Sequence, residues 1–255
     1  MRGLFDLSGR VALVTGGSRG LGEEMAEGLA EAGAALFLLA RRSEWLDPTL
    51  ERLRGRGFRA DGALADVSDA DHVAAATARA LEVYGGIDIL VCNAGVTWGA
   101  PAEEMPLDKW QKVIDVDLTG AFLCCQAAGR EMIRRGSGSI INIASIAGLV
   151  GTLPDGIHTA GYVAAKGGLI ALTRELAAKW GRHNVRVNAI APGFFPTRMT
   201  EKVLAWGETQ IARQTPLGRV GRSGELKGVA VFLASDASSY VTGQTIAVDG
   251  GGSIV

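Results

Sequence analysis

Short apolar runs alternate with longer segments of helical spacing along almost the whole chain of 255 residues. No other feature restricts the fold as much. Parallel strands need long crossovers, and helices supply them while covering both faces of the sheet. Strands are expected at 10–15, 35–40, 59–65, 87–92, 139–144, 185–190 and 245–248. Helical spacing occupies 20–32 (closed by Gly33), 46–56, 69–84 (with Ser68 as its N-cap), 107–135, 162–180, 199–213 and 223–234. No Pro/Ser-rich linker, composition break or internal repeat divides the chain. The expectation is therefore one α/β domain over 1–255, a doubly wound parallel sheet with helices on both faces. In such sheets ligands bind beyond the C-terminal ends of the strands.

Several functions are excluded by composition. Lys and Arg number 26 and Asp and Glu 27, a net charge of −1, so no field favours nucleic acid or an anionic membrane. Cys92, Cys124 and Cys125 do not make a disulfide framework and point to a reducing compartment. His72, His158 and His183 are scattered, so no metal site is expected. The first residues lack a signal-peptide pattern, and no apolar run reaches the roughly 18 residues of a membrane span. A cytoplasmic location follows as the expectation. Glycine is the outlier, at 36 residues, about twice the average share of roughly 7 %.

Part of that excess lies in Thr15-Gly16-Gly17-Ser18-Arg19-Gly20-Leu21-Gly22, between the first strand and the first helix. Glycines at 16, 20 and 22 allow a tight turn, close approach of a pyrophosphate and close helix packing. This is the signature of a Rossmann-type nucleotide site, although the spacing Gly-x3-Gly-x-Gly differs from the general Gly-x-Gly-x2-Gly. An acid after the second strand would hold a ribose 2′-hydroxyl, whereas an arginine accommodates a 2′-phosphate. Arg41 and Arg42 stand there, and Arg19 lies in the turn itself. Guanidinium groups suit phosphate, so NADP is expected over NAD, with NAD still possible.

Tyr162 and Lys166 are four residues apart on one helical segment and share a face. A free phenol, with a pKa of about 10, is a poor base at neutral pH. A neighbouring ammonium favours the phenolate. The pair thus suits acid/base work on an alcohol or ketone. The strand at 139–144 delivers Ser145, whose hydroxyl either holds a substrate oxygen or caps a turn.

These segments, with Asp66-Val67, Cys92-Asn93-Ala94-Gly95, Asn188 and Pro192-Gly193…Thr197, resemble the short-chain dehydrogenase/reductase family over nearly the whole length. The resemblance implies that Gly16, Ser18, Gly20, Leu21 and Gly22 hold the pyrophosphate and that Asp66 and Val67 meet the adenine. It implies that Asn93, Ala94 and Gly95 shape the cofactor floor, and that Pro192, Gly193, Phe195 and Thr197 lie on the nicotinamide side. Lys166 would also bind the nicotinamide ribose, Ser145 would orient the substrate oxygen, and Tyr162 would transfer the proton. The segment near 194–215 would cover the substrate. A homotetramer is implied, through the helices at 107–135 and 162–180 and through the end of the chain.

Two departures from the family pattern stand out. Asp117 occupies a position where many members carry Asn, a tetrad residue acting largely through its backbone carbonyl. Its carboxylate either perturbs Lys166 and Tyr162 or is simply satisfied by backbone donors. The stretch from Ser145 to Tyr162 is also longer than usual, with the excess at 152–160. There His158 is either a substrate ligand or a surface side chain without a role. Arg198 has the same two readings, as partner of a substrate carboxylate or as an exposed helix-start residue.

Residues 4–15, 180–181, 191–197 and 227–235 are similar to the gluconate 5-dehydrogenase branch. That implies a sugar acid or polyol as substrate. Reduction of 3-oxoacyl thioesters is the alternative, and a non-catalytic NADP-binding protein the remote one.

Overall fold

β1 (Val11–Thr15) is buried over its whole length, as an unbroken apolar run demands of a strand covered on both faces. It lies between β2 (Ala35–Ala40) and β4 (Ile89–Cys92), parallel to both. β3 (Ala60–Leu64) pairs with β2 at one edge and is only partly buried. β5 (Gly138–Ile143), β6 (Val185–Pro192) and β7 (Thr245–Val248) extend the sheet from β4. The order across the seven strands is β3-β2-β1-β4-β5-β6-β7. The structure is a computed structural model that describes residues 3–151 and 156–255.

Alternation along the strands builds two cores. In β2, Leu36 and Leu38 face one layer and Phe37 and Leu39 the other. The first layer contains Met25 and Leu29 of α1 (Gly20–Glu31), Leu50 of α2 (Ser43–Gly55) and Leu233 of α8 (Lys227–Ala234). The second contains Val73 of α3 (Ala70–Tyr84), Met132 of α5 (Gly120–Arg135) and Leu169 of α6 (Ala160–Trp180). Helices therefore cover both faces, and the expected doubly wound sheet is the one observed. The strand order reverses between β1 and β4, which opens a crevice at their C-terminal ends.

Two local expectations are corrected. Asp69, not Ser68, caps α3: its carboxylate accepts hydrogen bonds from the backbone N–H of Asp71 (2.9 Å) and His72 (3.1 Å). Ser68 Oγ instead donates to Asp66 at 2.7 Å. The stretch 107–135 is not one α-helix. α4 (Leu107–Ile114) passes through a π-helical turn (Asp115–Thr119) into α5, and the Gly120 N–H donates to the Asp115 carbonyl. The added residue of a π-bulge changes side-chain direction, a device frequent at functional sites.

The three cysteines are buried free thiols, as small apolar residues would be. Burial pushes Cys124 up to about 12, so it is no nucleophile.

Candidate active site

The glycine turn meets the loop after β4 across the crevice. Asn93 donates from Nδ2 to the carbonyls of Thr15 and Gly16, both at 3.2 Å. The N–H groups of Asn93 (2.9 Å) and Ala94 (3.0 Å) donate to Thr15 Oγ1. Asn93 is thus spent on holding the turn. Gly16 and Gly20 have φ of +64° and +57°, and a Cβ on Gly22 would overlap the Asn93 amide and the Gly16 carbonyl. The turn is a cradle with its side chains removed, and a pyrophosphate fits such a surface. Ser18 and Val67 are buried beside it, and Leu21 packs on the core.

Cations gather at one end of the cradle. Arg19 stacks on Trp45 with its Cζ 3.7 Å from the ring centroid, and Arg42 lies 5.0 Å from the same centroid. Arg42 pairs with Glu44 at 3.0 Å, both exposed, and Arg41 with the partly buried Asp66 at 3.8 Å. Burial of the Asp66 carboxyl is outweighed by hydrogen bonds from Ser68 and by Arg41, which keep it below the usual carboxylate range. Burial, then the neighbouring arginines, hold Arg19 below the ordinary arginine value. Among the described residues, Arg19 has no carboxylate within ion-pair distance. This donor set suits a 2′-phosphate.

Tyr162 and Lys166 project from the first turns of α6. Lys166 is buried and donates from Nζ to the Ile143 carbonyl at 2.9 Å, at the end of β5. The ammonium is 5.4 Å from the centroid of the half-buried Tyr162 ring and 3.1 Å from Asp117 Oδ2. That oxygen has no well-formed hydrogen bond, so the contact is an ion pair. The other Asp117 oxygen accepts from the Val96 N–H at 2.7 Å. Gly95 leaves the room, since a Cβ there would lie 2.9 Å from Asp117 Oδ2. Burial disfavours the Lys166 ammonium, but Asp117, Tyr162 and Cys92 together outweigh it, and its pKa lies above the usual lysine value. For Asp117, burial outweighs the attraction of Lys166 and raises the carboxyl. One Asp117 oxygen thus has a backbone donor, while the other faces the Lys166 ammonium. Ser145 begins a short 3-10 turn after β5, and its Oγ accepts from the Ala147 N–H at 3.2 Å.

Beyond β6, Pro192 and Gly193 pass close to Asp249, and Thr197 joins Thr200 through Oγ1 contacts at 3.0 Å. The Phe195 side chain is buried against Gly221 and packs into the core. It lines a cavity of 410 Å³ under α7 (Glu201–Gln214), to which Ile146 and Phe194 also contribute. Arg198 is exposed, with its guanidinium 5.6 Å from the Trp45 ring and beside Arg19. His158 is exposed, and its carbonyl accepts from the Ala100 N–H at 2.9 Å. The loop that carries it falls at 152–155 outside the described residues. Among the described residues no group of side chains is arranged to hold a metal ion, and no helix is long and apolar enough to cross a membrane.

A family profile described as Enoyl-(Acyl carrier protein) reductase matches residues 16–253. The chain belongs to the short-chain dehydrogenase/reductase family. Gluconate 5-dehydrogenase of Gluconobacter oxydans is 43 % identical over 250 residues, 97 % of this chain and 96 % of that protein. A 3-oxoacyl-acyl-carrier-protein reductase of Synechocystis is 41 % identical over 96 % of this chain and 97 % of its own length. Among solved structures, a gluconate 5-dehydrogenase from Burkholderia cenocepacia in complex with NADP and tartrate superposes with a TM-score of 0.95. It is 41 % identical and covers 100 % of this chain and 99 % of its own.

Sequence reasoning overlooked Trp45, a half-buried ring facing three arginines. Its signal was present in Arg42-Ser43-Glu44-Trp45, an aromatic just after the two arginines that follow the second strand. The Ile143 carbonyl that fixes Lys166 carries no sequence signal, because any residue would supply it.

Proposed function

We propose that this short-chain dehydrogenase/reductase uses NADP to interconvert a secondary alcohol and a ketone on a sugar acid or polyol. One observation carries the reaction type: the Lys166 ammonium is fixed between the Ile143 carbonyl, Asp117 and the Tyr162 ring. A cation held there stabilises negative charge on the phenolic oxygen, so Tyr162 gives or takes the proton of the substrate oxygen. Ser145 orients that oxygen. When bound, the dinucleotide supplies or accepts the hydride, and the protein supplies position and electrostatics. Gly16, Gly20 and Gly22 receive the pyrophosphate, Arg19, Arg41 and Arg42 the 2′-phosphate, and Asp66 and Val67 flank the adenine. Ala94 and Gly95 form the floor, with Gly193 and Thr197 opposite. The unit is one domain, with the segment near 194–215 as substrate cover.

The similarity to gluconate 5-dehydrogenase supports the sugar-acid class. Reduction of 3-oxoacyl thioesters is the second reading, favoured by the Synechocystis relative at nearly the same identity. Assembly as a cytoplasmic homotetramer accords with the exposed apolar side chains of Phe122 on α5 and of Ile254 and Val255 at the end of the chain.

The test is nicotinamide absorbance with NADPH, offering 5-ketogluconate and an acetoacetyl thioester side by side. Faster turnover of the keto-sugar acid is expected. Preference for the thioester replaces the first reading by the second, and equal rates with NADH and NADPH at low concentration contradict the cofactor assignment.

A further inference from the structure

Three guanidinium groups meet the Trp45 ring from three separate stretches of chain. Arg19 comes from the glycine turn and Arg42 from the β2–α2 connection, both anchored to the first half of the sheet. Arg198 does not belong there. It precedes α7, between Thr197 and Thr200, whose hydroxyls and backbone are knotted together. Thr197 itself reaches the turn: its Cγ2 is 3.9 Å from where a Cβ of Gly20 would stand.

The charges at this junction do not balance locally. Arg41 and Arg42 each have a carboxylate partner, Asp66 and Glu44. Among the described residues, Arg19 and Arg198 have none within ion-pair distance. Among the neighbouring charges, Arg198 acts most strongly on Arg19. Two uncompensated guanidinium groups over one aromatic ring form a site for a compact, doubly charged oxyanion. Trp45 lies against both groups without neutralising either.

We infer that Arg198 is a positioning residue that binds the 2′-phosphate of the dinucleotide against Trp45, so that this phosphate pins the start of α7 over the substrate site. The inference rests on the reading of the glycine turn and Arg19, Arg41 and Arg42 as a 2′-phosphate site. It moves Arg198 from a substrate carboxylate to the cofactor phosphate. The segment that covers the substrate then responds to which dinucleotide is bound, because the unphosphorylated form offers Arg198 nothing at that place.

The probes are adenosine 2′,5′-bisphosphate and adenosine 5′-monophosphate, which differ at the 2′-position and carry no nicotinamide. Calorimetry gives their affinities, and hydrogen exchange reads the α7 amides, in the full chain and in Arg198→Gln. In the wild type the bisphosphate is expected to bind more tightly and to slow exchange in α7, and the monophosphate to leave α7 unchanged. Arg198→Gln is expected to bind the bisphosphate roughly tenfold more weakly, about the loss of one charge-assisted hydrogen bond, with α7 no longer protected. Equal protection of α7 by both probes, or a variant that behaves as the wild type, overturns the inference while leaving the 2′-phosphate site intact. Equal affinity of the wild type for the two probes overturns both.

Discussion

The Asp117 carboxylate stands 3.1 Å from the Lys166 ammonium, and both groups are shut off from water. The pair sits where α4 changes into a π-helical turn, and it links the loop after β4 to the base of α6. Lys166 is thereby kept cationic under Tyr162. The charge of position 117 thus bears on the lysine that lies beside the Tyr162 ring.

Asp117→Asn keeps the backbone carbonyl and one acceptor oxygen for the Val96 N–H, so activity at neutral pH is expected within about tenfold of the wild type. The sign of the pH effect follows from the cause. Asp117 raises the Lys166 value, so its removal lets the ammonium lose its proton at lower pH. The alkaline limb of the kcat/KM profile is expected to move toward neutrality. An unchanged limb would show that Asp117 is electrostatically silent.

Gly22→Ala tests the cradle. The new Cβ meets the Asn93 amide and the Gly16 carbonyl, and Asn93 cannot retreat because it bonds Thr15 and Gly16. A loss of about 1–3 kcal/mol in stability is expected from overpacking, with weaker dinucleotide binding by calorimetry. Wild-type Tm and affinity in this variant would show that the turn can open freely.

The outline of the fold was legible because most strands are short apolar runs ended by a polar or glycine-rich turn, with β3 (Ala60-Asp61-Gly62-Ala63-Leu64) the faint exception. The tight turn at Gly16, Gly20 and Gly22 was legible for a related reason, since positive φ at the first two and the crowding of a Cβ at the third favour glycine. The π-helical turn was not legible. The apolar spacing of 107–135 runs on without a break, and the turn follows from a tertiary demand, the burial of Asp117 against Lys166 and Val96. The burial of the Phe195 ring was not legible, because a motif places a residue along the chain but not the direction of its side chain. Arg198 was ambiguous for the same reason: its partner Trp45 is distant in sequence and is met only when β6 and β2 lie in one sheet.

Glu225 offers a test that does not depend on the reaction. Arg219 grips it with two hydrogen bonds, at 2.7 and 2.9 Å, and the Arg222 N–H adds a third. These hold its carboxyl at about 2, below the ordinary 4.5. A carboxylate lowered on folding adds stability that is complete above its unfolded value and is lost as pH falls through its folded value. The Tm difference between wild type and Glu225→Gln is therefore expected to be constant above about pH 5 and to shrink in more acid solution. A difference that stays the same at about pH 3 would contradict the pairing.

The central claim is that Tyr162 carries the proton of an alcohol–ketone reaction. Tyr162→Phe removes one oxygen and leaves the ring over Lys166 in place. The direct measurement is single-turnover NADPH oxidation with the preferred carbonyl substrate, alongside calorimetric binding of NADPH. The account predicts a rate lower by roughly 10²–10⁴-fold, the usual worth of a positioned acid, with unchanged NADPH affinity. A rate within a few-fold of the wild type would contradict it.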